Sequence, residues 1–179
     1  MDFERAFNFV VKQEGGYSNN PNDRGGETNY GISTRFIQAN GIKIKNVRDI
    51  TLQQAKEIYQ VYFWNPLRID GFKDDMVQLF LFDTAVNCGA GRAIDFLQSS
   101  INALAHIAVD GKIGNETIST CNRITDKDSD RDTLIELLRA NRMGFYAHIV
   151  RTNESQRCFI KGWINRTRDL FTYGKQTTV

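Results

Sequence analysis

The chain has 179 residues, with 23 Lys and Arg against 21 Asp and Glu, for a formal net charge of +2. That balance excludes a dedicated polyanion binder, and 41% hydrophobic with 25% charged residues is the composition of a globular protein, not a disordered one. At this mass roughly 70% of the unfolded surface is removed from water on folding, so no metal or disulfide staple is required.

With two prolines and helical periodicity almost throughout, the sequence predicts an all-α fold. Asp2 caps a first helix whose apolar residues Phe3, Ala6, Phe7, Val10 and Val11 share a face, and Gly15-Gly16 ends it. The glycine- and asparagine-rich stretch from Tyr17 to Ser33 has no helical pattern; its tyrosines and the Tyr-Gly-Ile turn predict a small β-hairpin. Ser33 caps a short helix ending at Asn40-Gly41. Thr51 with Gln54 is a capping box opening a helix that runs to Trp64, before Asn65-Pro66. Further helices are expected over 75–87 and 92–105, then over 116–122 with Asn115 as cap, and finally over 131–152 and 154–173. The glycine break at Cys88–Gly91 marks the expected seam between subdomains 1–88 and 89–179, packed as one globule.

The N-terminal stretch carries Asp2, Glu4 and Arg5 where a signal peptide needs a basic region, and no apolar run approaches the roughly 20 residues of a membrane helix. A protein that is cytoplasmic as synthesised, with no transmembrane segment, is the expectation. Cys88, Cys121 and Cys158 contain no CxxC pair and read as reduced, buried small side chains. His106 and His148 lie far apart, neither beside a ligand-spaced carboxylate or thiol, so no metal and no cofactor is expected. No G-x-S-x-G elbow and no phosphate loop occurs. From Arg151 onward Arg151, Arg157, Lys161, Arg166, Arg168 and Lys175 face Glu154 and Asp169. This basic bias reads as a solvated helix face, and without a nucleic-acid motif it predicts no nucleic-acid partner.

The chemistry-bearing stretch is the end of the first helix and the loop after it. Glu14 stands at the negative end of the helix dipole, which disfavours its charged form. Asp23 follows nine residues later, with Glu27, Thr28 and Asn29 beyond it. One carboxylate on a helix end facing a loop with a second carboxylate and neutral hydrogen-bonding groups is the inventory that glycoside hydrolysis uses. Asp23 also suits a plain turn, Asn-Asp-Arg-Gly-Gly, in which it binds its own backbone. Tyr17 and Tyr30 are candidates for stacking on sugar rings, as is Trp64, each with a core alternative. Asp83 and Asn87, one helical turn apart, either contact substrate across from Glu14 or hydrogen-bond at the seam.

The run EGGYSNNPNDRGGETNYGIS at 14–33 resembles the signature of glycoside hydrolase family 108, lysozyme-like N-acetylmuramidases. The segments LFDTAVNCGAGRAIDFLQ at 81–98 and DGKIGNET at 110–117, with the later FYAHIV and GWINR, resemble the predicted peptidoglycan-binding domain that follows it in that family. The resemblance implies a lysozyme-like α-helical fold, Glu14 as catalytic acid, and peptidoglycan glycan strands as substrate and partner. The spacing also resembles phage-type lysozymes. That likeness makes Asp23 and Thr28 the candidate catalytic partners, with Asn29 an alternative to Thr28 for positioning water. The family resemblance leads to a muramidase cleaving the bond between N-acetylmuramic acid and N-acetylglucosamine; with no signal peptide expected, release to the wall through a phage-type holin is the expected route. The alternative is a non-catalytic peptidoglycan-binding or secretion-associated protein on the same fold.

Overall fold

The computed structural model describes residues 1–19 and 27–176, so Asp23 lies outside the described residues. The chain divides into two compact units, residues 2–62 and residues 63–179 with Met1.

In the first unit, α1 (Phe3–Glu14) starts where the Asp2 carboxylate accepts the Arg5 N–H at 2.8 Å. It buries Ala6, Phe7, Phe9 and Val10, and ends at Gly15 with φ +75°. Phe7 meets Tyr59 edge to face, with ring centroids 5.7 Å apart. The hairpin pairs β1 (Thr28–Asn29) with β2 (Ile32–Ser33), in the register Thr28 to Ser33 and Asn29 to Ile32. Its two turn residues, Tyr30 and Gly31, have φ of +50° and +74°. Positive φ at both positions is the tight turn whose twist matches the strands it joins. Ser33 caps α2 (Thr34–Ala39), accepting the Phe36 N–H at 3.0 Å. A 3-10 turn at Val47–Asp49 precedes α3 (Leu52–Tyr59), which opens with the Thr51–Gln54 capping box. The helix expected to reach Trp64 keeps α geometry only to Tyr59 and continues as a wider π turn over Gln60–Trp64.

The second unit is built around α4 (Asp75–Cys88). Asp74 caps it, and every residue from Met76 to Ala85 is buried. A helix apolar on all sides needs neighbours on all sides. It has them in α5 (Ala90–Leu104), α7 (Asp128–Thr152) and α8 (Ile160–Gln176); α6 (Asn115–Thr125) packs on α5 and α7. α4 is the core of the helices that follow it, so the compact units part at Tyr62–Phe63, ahead of the glycine break at Cys88–Gly91. Trp64 belongs to that core. It is buried, edge to face with Phe82, and donates Nε1–H to Asp70 at 2.9 Å, so it has no open face for a sugar.

Other local expectations change with packing. Gly114, not Asn115, occupies the cap of α6, and the Asn115 side chain accepts from Arg68 Nη2 at 2.8 Å. Of the cysteines only Cys121 is buried; Cys88 is half-buried and Cys158 exposed. Among the described residues the fold is all-α with one small hairpin, and no helix is long and apolar enough to cross a membrane.

Candidate active site

Glu14 is the last residue of α1, half-buried, and the hairpin turn comes down beside it. A Cβ at Gly31 would lie 2.7 Å from Glu14 Cγ, 2.8 Å from Glu14 Oε2 and 2.7 Å from the Tyr59 hydroxyl oxygen. Contacts that short are not tolerated, so only glycine lets the turn approach the carboxylate this closely. Tyr59, buried on α3, donates its hydroxyl to the Tyr30 carbonyl at 2.9 Å and so ties the turn to the helix. Tyr30 adopts φ +50°, a conformation that costs a non-glycine residue roughly 1–2 kcal/mol. Sequence reasoning missed Tyr59, which shares a helix face with Ala55 and Ile58 and reads as core until its hydroxyl is followed.

The two hairpin candidates separate by strand parity. Asn29 is buried, and its amide donates to three carbonyls, Val47 at 3.1 Å and Arg48 and Ile50 at 3.3 Å each. It anchors the 3-10 turn to the hairpin, and that structural work occupies the amide nitrogen expected to face substrate or water. Its neighbour Thr28 takes the opposite face, as alternate strand residues do. The Thr28 backbone pairs with Ser18 at 2.8 and 2.9 Å, and its hydroxyl has no protein partner among the described residues.

Beyond the hairpin, one oxygen of Glu27 gathers three donors: the Tyr17 hydroxyl at 3.0 Å, Asn19 Nδ2 at 3.1 Å and Arg48 Nη2 at 2.8 Å. The Arg48 guanidinium lies 4.8 Å from the Tyr17 ring centroid. The bond from Arg48, then that from Tyr17, holds the Glu27 carboxyl below its ordinary range, and Glu27 in turn raises Arg48. Tyr17 stays 43% exposed.

Asp83 and Asn87, in the second unit, do something else. Asp83 is fully buried; Oδ2 accepts from Arg142 Nη1 at 2.6 Å and Oδ1 from Arg166 Nε at 2.9 Å. Arg142 also donates to Thr84 at 3.2 Å and to the Tyr146 hydroxyl at 2.8 Å, and Tyr146 donates to Asn87 Oδ1 at 2.5 Å. Burial works most strongly against the Arg142 charge, but Asp83, Tyr146 and Cys88 together outweigh it and raise the guanidinium above its ordinary value. With both oxygens taken, Asp83 is a structural hub, the hydrogen-bonding alternative of the two weighed for it. Arg166 leaves the solvated basic face to join it. A cavity of about 550 Å³ in this unit is lined by Met76, Arg131, Ile135, Glu136 and Phe171, and holds none of the sequence-nominated residues. Among the described residues no three His, Cys, Asp or Glu side chains group to hold a metal ion.

Residues 7–89 match the family model glycosyl hydrolase 108. The first half of the chain belongs to that family. Residues 92–168 match a second model, a predicted peptidoglycan domain, so the two models meet within the glycine break even though the compact units part earlier. The solved structure of Brucella abortus SagA is similar over 97% of this chain and 94% of that one, at 26% identity and a TM-score of 0.78. No curated protein matches the sequence. The glycosyl hydrolase 108 protein is thus a glycoside hydrolase acting on peptidoglycan, with a lysozyme-like helical fold.

Proposed function

We propose that this hydrolase is an N-acetylmuramidase, cleaving between N-acetylmuramic acid and N-acetylglucosamine with Glu14 as general acid. The supporting observation is the convergence of Glu14, Gly31 and Tyr59, which holds one carboxylate of the family segment at the edge of a pinned turn. Glu14 gives its proton to the glycosidic oxygen as the bond from that oxygen to the sugar's anomeric carbon breaks. Water adds to the anomeric carbon from the other face. Asp23 is the group proposed to take the water's proton, and the Thr28 hydroxyl, with no protein partner among the described residues, is proposed to orient that water. Tyr17 and Tyr30 are proposed to border the glycan. Water attacking opposite the leaving group gives inversion; a covalent glycosyl intermediate would instead need a carboxylate to attack the anomeric carbon.

The experiment is digestion of purified cell walls, followed by borohydride reduction of the new ends. Muramitol ends with the parent protein, and none with Glu14→Gln, are the expected result. Glucosaminitol or anhydro ends would overturn the bond assignment, and an unchanged rate in Glu14→Gln would remove the acid.

A further inference from the structure

Arg48 lies beyond the signature run at 14–33, though within the matched residues 7–89, on the 3-10 turn Val47–Asp49, and its geometry is not that of a simple staple. It reaches Glu27 through Nη2 alone, where an arginine used to lock a carboxylate would place two donors in parallel on its two oxygens. All three donors crowd onto Glu27 Oε1. Among the described residues Nε and Nη1 of Arg48 bond to no carboxylate or carbonyl, with Tyr17 the other side chain acting on the guanidinium, and the side chain is 53% exposed. An ion pair this open contributes little to stability.

The base beneath Arg48 is nonetheless rigid. The buried Asn29 amide holds the carbonyls of Val47, Arg48 and Ile50, fastening the turn to the hairpin that also meets Glu14. From the other side the Tyr17 ring supports the guanidinium face, 4.8 Å away. Tyr17 follows Glu14 by three residues, which limits their Cα separation to about 11 Å at 3.8 Å per step. A planar cation with two donors bound to no carboxylate or carbonyl, stacked on an exposed aromatic ring and fixed close to the acid, is a receptor for a carboxylate next to a sugar ring.

We infer that Arg48, oriented by Glu27 and Tyr17, is a specificity-determining residue that binds a carboxylate on the muramyl side arm of the glycan. This rests on the reading of the Glu14 site as a peptidoglycan-cleaving one. Peptidoglycan differs from a neutral N-acetylglucosamine polymer by its lactyl arm, which ends in its own carboxylate or continues into a stem peptide bearing others. Both sources present the same group to Arg48.

The test is made in the Glu14→Gln background, so that binding is read without turnover. Calorimetry compares three soluble ligands: glycan strands with stem peptides, strands stripped of stems so that the lactyl carboxylate is free, and a neutral N-acetylglucosamine oligomer. Arg48→Ala is expected to raise Kd for the carboxylate-bearing strands about tenfold, in the range of a charge-assisted hydrogen bond, and to leave the neutral oligomer unchanged. Arg48→Lys, which keeps the charge without the planar fork, recovers part of the loss. An effect retained on stripped strands identifies the lactyl carboxylate; an effect confined to intact strands identifies the stem. Arg48→Gln, which retains a donor for Glu27, repeats the measurement should the alanine variant fold poorly. Equal Kd for all three ligands in parent and variants, or an equal loss on the neutral oligomer, overturns the inference. Failure of the Glu14 reading appears separately, as lysis by the parent protein that survives Glu14→Gln.

Discussion

The two compact units treat polar side chains in opposite ways. In residues 2–62 most of the groups nominated for chemistry stand at the ends of elements and keep solvent exposure: Glu14 is half-buried at a helix end, Tyr17 is exposed and the Thr28 hydroxyl is engaged by no described residue, with Asn29 the buried exception. In residues 63–179 the corresponding groups are sealed: Asp83, Arg142 and Tyr146 are buried and hydrogen-bond to one another, although Arg142 Nη2 has no hydrogen-bond partner among the described residues. A buried polar group without a partner is costly, so a core spends its carboxylates on guanidinia, while a reacting carboxylate must keep an approach for substrate. Asp83 resembles a site residue in sequence and is buried scaffold in three dimensions, while its helix neighbour Asn87 is half-buried and accepts the Tyr146 hydroxyl.

Crossing two substitutions tests that division. Glu14→Gln keeps size and removes the proton, so wall lysis should fall by about 10²–10⁴-fold, the usual contribution of a positioned acid, with the melting temperature nearly unchanged. Asp83→Asn should do the reverse. It leaves two buried guanidinia without their counter-charge, a loss of about 3–5 kcal/mol for broken buried pairs. Both tryptophans, Trp64 and Trp163, belong to the second unit, so their fluorescence in a denaturant titration reports that unit. A cost under about 1 kcal/mol would show that the hub is not holding the helices together.

Gly31→Ala probes the join between turn and acid. The new methyl meets Glu14 and Tyr59 on a backbone with φ +74°, so a cost of about 1–3 kcal/mol and a drop in lysis are expected together. Stability lost with lysis retained would mean that the turn need not hold Glu14 in place. The smallest effect concerns the thiols. Burial, then the nearby Asp74, pushes the Cys121 thiol up from 9.0 to about 12, and burial also raises Cys88. The folded state therefore keeps Cys121 protonated. Its contribution is complete below about pH 9 and is lost as pH rises towards 12, where the unfolded chain has already released the proton. At neutral pH a thiol reagent should label the exposed Cys158 first and Cys121 only on unfolding; fast labelling of Cys121 would contradict its burial.

Much of the scaffold could be read without coordinates. The caps at Asp2, Ser33 and Thr51–Gln54, the stop at Gly15 and the hairpin turn all depend on hydrogen bonds within a few residues, or on φ angles open to glycine. Such features are written in adjacent side chains. The position of Glu14 at a helix end is of the same local kind. What the tertiary structure alone decided was which groups meet over long separations. Tyr59 finds the Tyr30 carbonyl 29 residues away, and Asp83 finds Arg142 and Arg166 at 59 and 83 residues. Which of Thr28 and Asn29 is buried turned on which strand face the 3-10 turn covers, and the position of the unit boundary on where α4 finds its neighbours. Short-range order follows from the chain's own geometry. Pairings across such loops are selected by the packing that closes them, and one sequence carries no local mark of that selection.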